Sequence, residues 1–264
     1  MLSSLRTLIV SAAVAGTALL TGAPVAIAAG EAPSPPSRSW TFSGPFGTFD
    51  NAQLQRGFQV YKQSCSACHG MRLLYYRNLG QPGGPEFTED EVKVIAAGYM
   101  VTDGPDDTGE MFQRPAIPSD TFFEPYENEQ QARSIFGGAY PVDLSVITKA
   151  RKYGPNYLAA LLLGYHEAPA GFDLEPGQYY NEYYSGHRIA MPPPLVADGQ
   201  IAYDDDTPET IENYAVDVSA FLHWAGEPKL EERKRIGLQV MIFLFVFAAL
   251  LYLTKLKLWR NIDH

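Results

Sequence analysis

Two cysteines three positions apart, followed at once by a histidine, constrain this chain more than any other feature: Cys65-Ser66-Ala67-Cys68-His69. These are the only two cysteines in the sequence, so no disulfide framework can be built from them. Two thiols at this spacing can add across the two vinyl groups of a haem, and the imidazole of the next residue then sits beneath the iron as its proximal ligand. Three rival chemistries fit less well. A structural zinc site needs four ligands, and there is no second cysteine pair. A thioredoxin-like redox pair follows a strand, whereas the residues before Cys65 are spaced as a helix. A disulfide across two intervening residues is strained and leaves His69 without a role. The expectation is one covalently held haem c, attached through Cys65 and Cys68 and ligated by His69.

The ends of the chain place that group outside the cytoplasm, where c-type haem is attached. Arg6, the apolar and small residues from Leu8 to Leu20, the helix-breaking Pro24 and the small-x-small run Ala26-Ile27-Ala28 read as a cleaved signal peptide over residues 1–28. Near the other end, every residue from Ile236 to Leu253 except Gly237 and Gln239 is apolar. As a helix this run rises about 27 Å, close to the thickness of a bilayer's hydrocarbon core, and it reads as one transmembrane helix. Basic residues flank it on both sides, so charge alone leaves its orientation open, while the signal peptide exports everything before it. The expected divisions are an exported domain over 29–228, a membrane anchor with a charged lead-in over 229–258 and a short cytoplasmic tail over 259–264.

Helical signals dominate the exported part, and no stretch alternates well enough to demand a large sheet. Asp50 is placed to cap a helix with Leu54, Phe58 and Tyr61 on one face, running into the cysteines. Thr88-Glu89-Asp90-Glu91 reads as a capping box before a stripe of Val92, Ile95, Ala96, Tyr99 and Met100. Further helices are expected over Glu129–Phe136, around Leu144–Arg151, and over Tyr157–Leu163 with Asn156 as cap. The last is expected to be capped by Thr207, with Pro208 in its first turn and Ile211, Tyr214, Ala215, Val218 and Leu222 on one face, ending at Gly226. The fold class is mostly α, a c-type cytochrome domain with long loop insertions plus one C-terminal transmembrane helix. A net charge of -10 argues against nucleic acid and suits a basic soluble partner. The acidic residues gather at Glu86 to Glu91, Asp103 to Glu110, Glu124 to Glu129 and Asp204 to Glu212.

The sixth iron ligand decides what such a haem does. A methionine thioether closes the iron and raises its potential, as electron transfer wants, whereas an open position admits ligands or peroxide. Met71 is too near His69 to reach the opposite face, Met100 falls on an apolar helical stripe, and Met111 lies in an acidic loop. Met191 precedes Pro192-Pro193-Pro194, whose fixed dihedrals can hold a side chain in place. His166, His187 and His223 remain open as ligands.

Several segments together carry a resemblance to a known family. Cys-Ser-Ala-Cys-His-Gly-Met-Arg followed by Tyr76-Arg77-Asn78-Leu79 resembles cytochrome c1, the haem subunit of the cytochrome bc1 complex (quinol–cytochrome c reductase), in its alphaproteobacterial form. So do Met111-Phe112-Gln113-Arg114-Pro115, Asp143-Leu144-Ser145, Leu162-Leu163-Gly164-Tyr165, Tyr179-Tyr180-Asn181-Glu182-Tyr183-Tyr184 and Ile189-Ala190-Met191-Pro192-Pro193-Pro194-Leu195. Phe221 to Pro228 then leads through Arg233-Lys234-Arg235-Ile236-Gly237 into the anchor in the family's order. The resemblance implies thioethers at Cys65 and Cys68, axial ligands His69 and Met191, and Arg114 near a haem propionate. It implies cytochrome b and a Rieske iron–sulfur protein as partners, with a soluble or membrane-bound cytochrome c as acceptor. The compartment it implies is the bacterial inner membrane, with the haem domain in the periplasm. Some relatives carry an extra cysteine pair thought to brace the loop region, and this sequence lacks it. The chain makes and breaks no substrate bond on this reading; the enzyme is the assembled complex. The rivals are a free-standing membrane-tethered carrier and a haem peroxidase, the second of which needs an open or second haem.

Overall fold

The structure, a computed structural model, describes residues 32–261. The expected signal segment and the last three residues of the tail lie outside that range. Helices predominate. In chain order the elements are α1 (Asn51–Val60), α2 (Glu89–Ala97), β1 (Met100–Asp103), β2 (Phe112–Pro115), α3 (Glu129–Ile135), α4 (Ile147–Ala150), α5 (Pro155–Leu163), β3 (Tyr179–Tyr180), β4 (Arg188–Ile189), α6 (Ile211–Gly226) and α7 (Leu230–Trp259). The strands form two antiparallel pairs, β1 with β2 and β3 with β4.

The domain is built on the crossing of α1 and α6, the helix before the cysteine motif and the helix before the anchor. They meet at Gly57, where a Cβ would lie 2.1 Å from the Asp217 carbonyl oxygen and 2.6 Å from the Phe221 Cβ. Glycine is required there because any side chain would hold the backbones apart. Leu54, Phe58, Val60 and Tyr61 from the first helical segment pack with Val218, Phe221, Leu222 and Trp224 from α6. Burying each large side chain contributes about 1.5–3 kcal/mol. One charge is buried in this contact. The Asp217 carboxylate is 4% exposed and accepts hydrogen bonds from Gln53 (3.0 Å), Arg56 (2.8 Å) and the Tyr203 phenol (2.9 Å). Its lone pairs are thereby satisfied, as a buried carboxylate demands.

Local signals set most helix starts. The Asp50 side chain accepts the Gln53 N–H, and Thr88 and Glu91 form the expected capping box of α2. Others begin differently from the sequence expectation. Asn156 does not cap α5: Pro155 takes the first helical position after Gly154, whose φ of +53° turns the chain. Freed from capping, the Asn156 carboxamide oxygen accepts the Trp40 indole N–H at 2.7 Å and the Arg38 N–H at 3.2 Å. Thr207 does not cap α6 either. Its N–H is taken by Asp205, and Glu209 is held to Gly199 and Tyr203, so the helix starts after Thr210, which accepts the Asn213 N–H. Around Leu144–Arg151 only the single turn α4 forms. Met100 leaves the α2 stripe, because the helix ends at Ala97, and it opens β1 at 50% exposure.

The last helix, α7, has 30 residues, and its apolar window is wholly exposed in the monomer. A helix whose run from Ile236 to Leu253 is apolar on every face, with nothing among the described residues packed against that run, is what a bilayer accommodates. Its first turns serve the domain: Leu230 is buried, Glu231 accepts the Phe49 N–H at 2.7 Å, and the Lys234 ammonium donates to the Phe42 and Gly47 carbonyls at 2.7 and 2.9 Å.

Candidate haem site

The helix α1 does not run evenly into the cysteines. It widens into a π-helical turn over Tyr61–Cys65, closed by the Ser66 N–H on the Tyr61 carbonyl at 2.9 Å. Such a turn inserts one residue and changes the phase of the side chains that follow. The chain then tightens, with the N–H groups of Cys68 and His69 both directed to the Cys65 carbonyl. Both thiols are free and half-buried. Burial pushes the Cys65 thiol up to about 12, with the neighbouring Cys68 adding to the effect. The Tyr61 phenol donates to the His69 carbonyl at 3.0 Å, fixing the end of the motif to the α1–α6 core.

The His69 ring is held by a strap more than seventy residues away. Its Nδ1 donates to the Val142 carbonyl at 2.7 Å, which leaves Nε2 as the atom offering a lone pair. Burial lowers the imidazole pKa, opposed by that carbonyl and by Asp143, so the ring favours the neutral, ligating form. Asp143 secures the strap, accepting the Arg72 N–H and the Ser145 N–H at 2.9 Å each. The Leu144 N–H reaches the Gly70 carbonyl at 2.9 Å, and the Ser145 hydroxyl accepts the Leu73 N–H at 3.1 Å. A cavity of about 280 Å³ opens beside Cys68, lined among others by Arg72, Glu124, Tyr126, Glu129 and Asp143.

The Met191 loop is positioned by two side chains. The Tyr165 phenol donates to the Met191 carbonyl at 3.1 Å. Tyr165 follows α5 and bridges Asn181, whose fully buried side chain donates to the Leu161 carbonyl and accepts from Tyr183 and Tyr184. Further along, the Gln200 amide donates to the Pro194 carbonyl at 2.9 Å and to the Ser64 hydroxyl at 3.3 Å, and accepts the Val196 N–H at 2.8 Å. Gln200 thus links the loop after Met191 to the residue immediately before Cys65.

The other candidates are placed as follows. Met71 is fully buried in the core, and Met111 is 60% exposed. His166 is exposed and lies 3.6 Å from Glu182, His187 stacks on Tyr180, and His223 stacks on Phe42 with centroids 4.6 Å apart. Arg114, on β2, pairs with both oxygens of Asp120 at 2.6 and 3.1 Å and also with Asp103 and the Pro115 carbonyl. These bonds use four of its five N–H groups, so one is left to turn toward another anion. Sequence reasoning did not assign Val142, Tyr165 or Gln200 as supports, because a carbonyl strap has no residue type and the two side chains act largely on backbone carbonyls of distant segments. The family resemblance had singled out Asp143-Leu144-Ser145 and Leu162-Leu163-Gly164-Tyr165, but without a bracing role for either.

The donor set fits a c-type haem. Two unpaired thiols and a histidine with one tied nitrogen and one free nitrogen stand on a single rigid turn, and a methionine loop is braced to the residue before that turn. Comparison with known proteins agrees. Residues 40–262 match the Cytochrome C1 family. The chain is 44% identical over 243 residues to cytochrome c1 of Rhodospirillum rubrum, covering 86% of this chain and 88% of that protein. It is 46% identical over 227 residues to "Cytochrome c1-2, heme protein, mitochondrial" of Solanum tuberosum, covering 86% and 84%. It is also 47% identical over 246 residues to the cytochrome b/c1 of Bradyrhizobium diazoefficiens, covering 86% of this chain and only 36% of that longer protein.

Proposed function

The chain belongs to the Cytochrome C1 family, and on that premise we propose that it is the haem subunit of a cytochrome bc1 complex, taking one electron from a Rieske iron–sulfur protein and passing it to a c-type cytochrome. A c-type haem bound here supplies a single reversible electron. The chain's own residues do the rest. Cys65 and Cys68 would hold the haem through two thioethers, each formed by addition of S–H across a vinyl group, which would need no oxidant. His69 presents Nε2 because Val142 occupies Nδ1. Met191 offers its thioether from a loop stiffened by three prolines and held by Tyr165 and Gln200, where some relatives are thought to use a cysteine pair. Arg114 keeps one N–H for a propionate while Asp120 and Asp103 fix its plane.

The domain lies in the periplasm of a bacterial inner membrane after cleavage of residues 1–28. The helix α7 spans the bilayer, and the tail over 259–264 is cytoplasmic. The acidic segment Glu124 to Glu129 is the one that borders the Cys68 cavity, and it is the docking site for a basic cytochrome c. The observation that carries this reading is the convergence of Cys65, Cys68 and a singly tied His69 on one turn. Purification in mild detergent through a tag on this chain tests it. A complex whose reduced spectrum contains both b and c haems is expected. A c haem alone would instead establish a free-standing tethered carrier.

A further inference from the structure

Phe46 is 77% exposed, and among the described residues no large apolar side chain outside α7 is more so. It sits at the tip of a loop whose other aromatic residues, Trp40, Phe42 and Phe49, are buried. The loop backbone is clamped to the start of α7. The Phe49 N–H meets Glu231, whereas the Gly47 carbonyl meets Lys234. The Lys234 ammonium also holds the Phe42 carbonyl, so both ends of the 43–46 turn are tied to one side chain of α7. The apolar run begins only two residues after Lys234, at Ile236, about 3 Å further along the helix.

We propose that the loop of residues 43–48 is a second membrane contact, in which the Phe46 ring enters the interface of the phospholipid bilayer that holds α7. The reasons for a lipid surface are the closeness of the loop's tether at Lys234 to the apolar run of α7 and the cation Arg235 beside that tether, which suits phosphate headgroups, while Arg233 is paired with Glu227. A loop tied by two side chains of the anchor cannot move independently of it. With the helix as one contact and Phe46 as another, the domain's tilt over the membrane is fixed, and with it the direction in which the haem site faces. The inference rests on α7 spanning the bilayer.

The test is a nitroxide introduced through Phe46→Cys in the full-length, haem-loaded chain in phospholipid discs. The haem consumes Cys65 and Cys68, so the label has a single target. Matched labels at Val94→Cys, on an exposed helix face, and Phe245→Cys, within the apolar run, give the references. Collision with dissolved oxygen relative to an aqueous nickel complex should be several-fold higher at position 46 than at position 94. A ratio equal to that at 94 would put the loop in water and overturn the proposal, and suppression of both collisions would show a protein cover and overturn it too. A water-like ratio at 245 would instead remove the anchor, and the loop's role with it.

Discussion

The phenol of Tyr165 donates its hydrogen bond to the backbone carbonyl of Met191 over 3.1 Å, joining the end of one helix to the loop that carries the proposed thioether ligand. Tyr165→Phe removes only that hydroxyl. A neutral hydrogen bond contributes about 1 kcal/mol net, so the methionine-bound form should lose about fivefold in its equilibrium against displacement. The alkaline displacement of Met191, followed by loss of the methionine-to-ferric charge-transfer band, should move down by about 0.7 pH unit. Met191→Leu conserves volume but removes the proposed ligand, so the potential should fall and carbon monoxide should bind the reduced protein. An unchanged band in Tyr165→Phe would show that the prolines and Gln200 hold the loop unaided.

The acidic segment beside the cavity predicts a salt effect. Glu127→Gln with Glu129→Gln should lower the second-order rate of electron transfer to a basic cytochrome c at low ionic strength. The wild-type rate should fall as salt shortens the Debye length to about 8 Å, and the double variant should show a shallower slope. Equal slopes would assign docking to another surface.

The crossing of α1 and α6 predicts a large stability effect from one methyl group. At Gly57 a Cβ would meet backbone rather than a movable side chain. Gly57→Ala should destabilise the domain by about 3 kcal/mol in denaturant titration. A loss below about 1 kcal/mol would mean that the two helices can separate without cost to the core.

His223 predicts a pH dependence near neutrality. Its ring stacks on Phe42, its Nδ1 has no partner among the described residues, and burial lowers its pKa, with Lys149, Lys234 and Arg233 acting in the same direction and Glu227 opposing. The unfolded chain, with a histidine pKa of about 6.5, therefore binds more protons than the folded one below neutrality. The resulting stability is complete above about pH 6.5 and is lost as pH falls toward the folded value. His223→Phe keeps the stacking and should flatten the stability profile over that window. A profile of unchanged slope would exclude His223 as its source.

The sequence made the cysteine motif, the capping by Asp50 and Thr88 and the apolar run of α7 legible, because each depends on residues close in the chain. It misplaced the starts of α5 and α6, where distant demands won. Trp40 and Arg38 occupy the Asn156 oxygen, and Gly199 and Tyr203 hold Glu209 before the helix can begin. The supports of the site were hidden for a related reason. Val142 acts through its carbonyl, and Gln200, which holds the Pro194 carbonyl, reaches Ser64 across 136 positions of sequence. No local periodicity records such a link.

On the proposed function, Cys65 and Cys68 bind the electron-carrying haem covalently at one turn of the chain. Mass analysis of the proteolytic peptide containing Cys65 to His69, taken from the membrane-purified protein after extraction with acidified solvent, tests it most directly. The peptide should carry the added mass of one haem joined at both cysteines, with no haem in the extract. An unmodified peptide with two free thiols, and the haem recovered in the solvent, would contradict it.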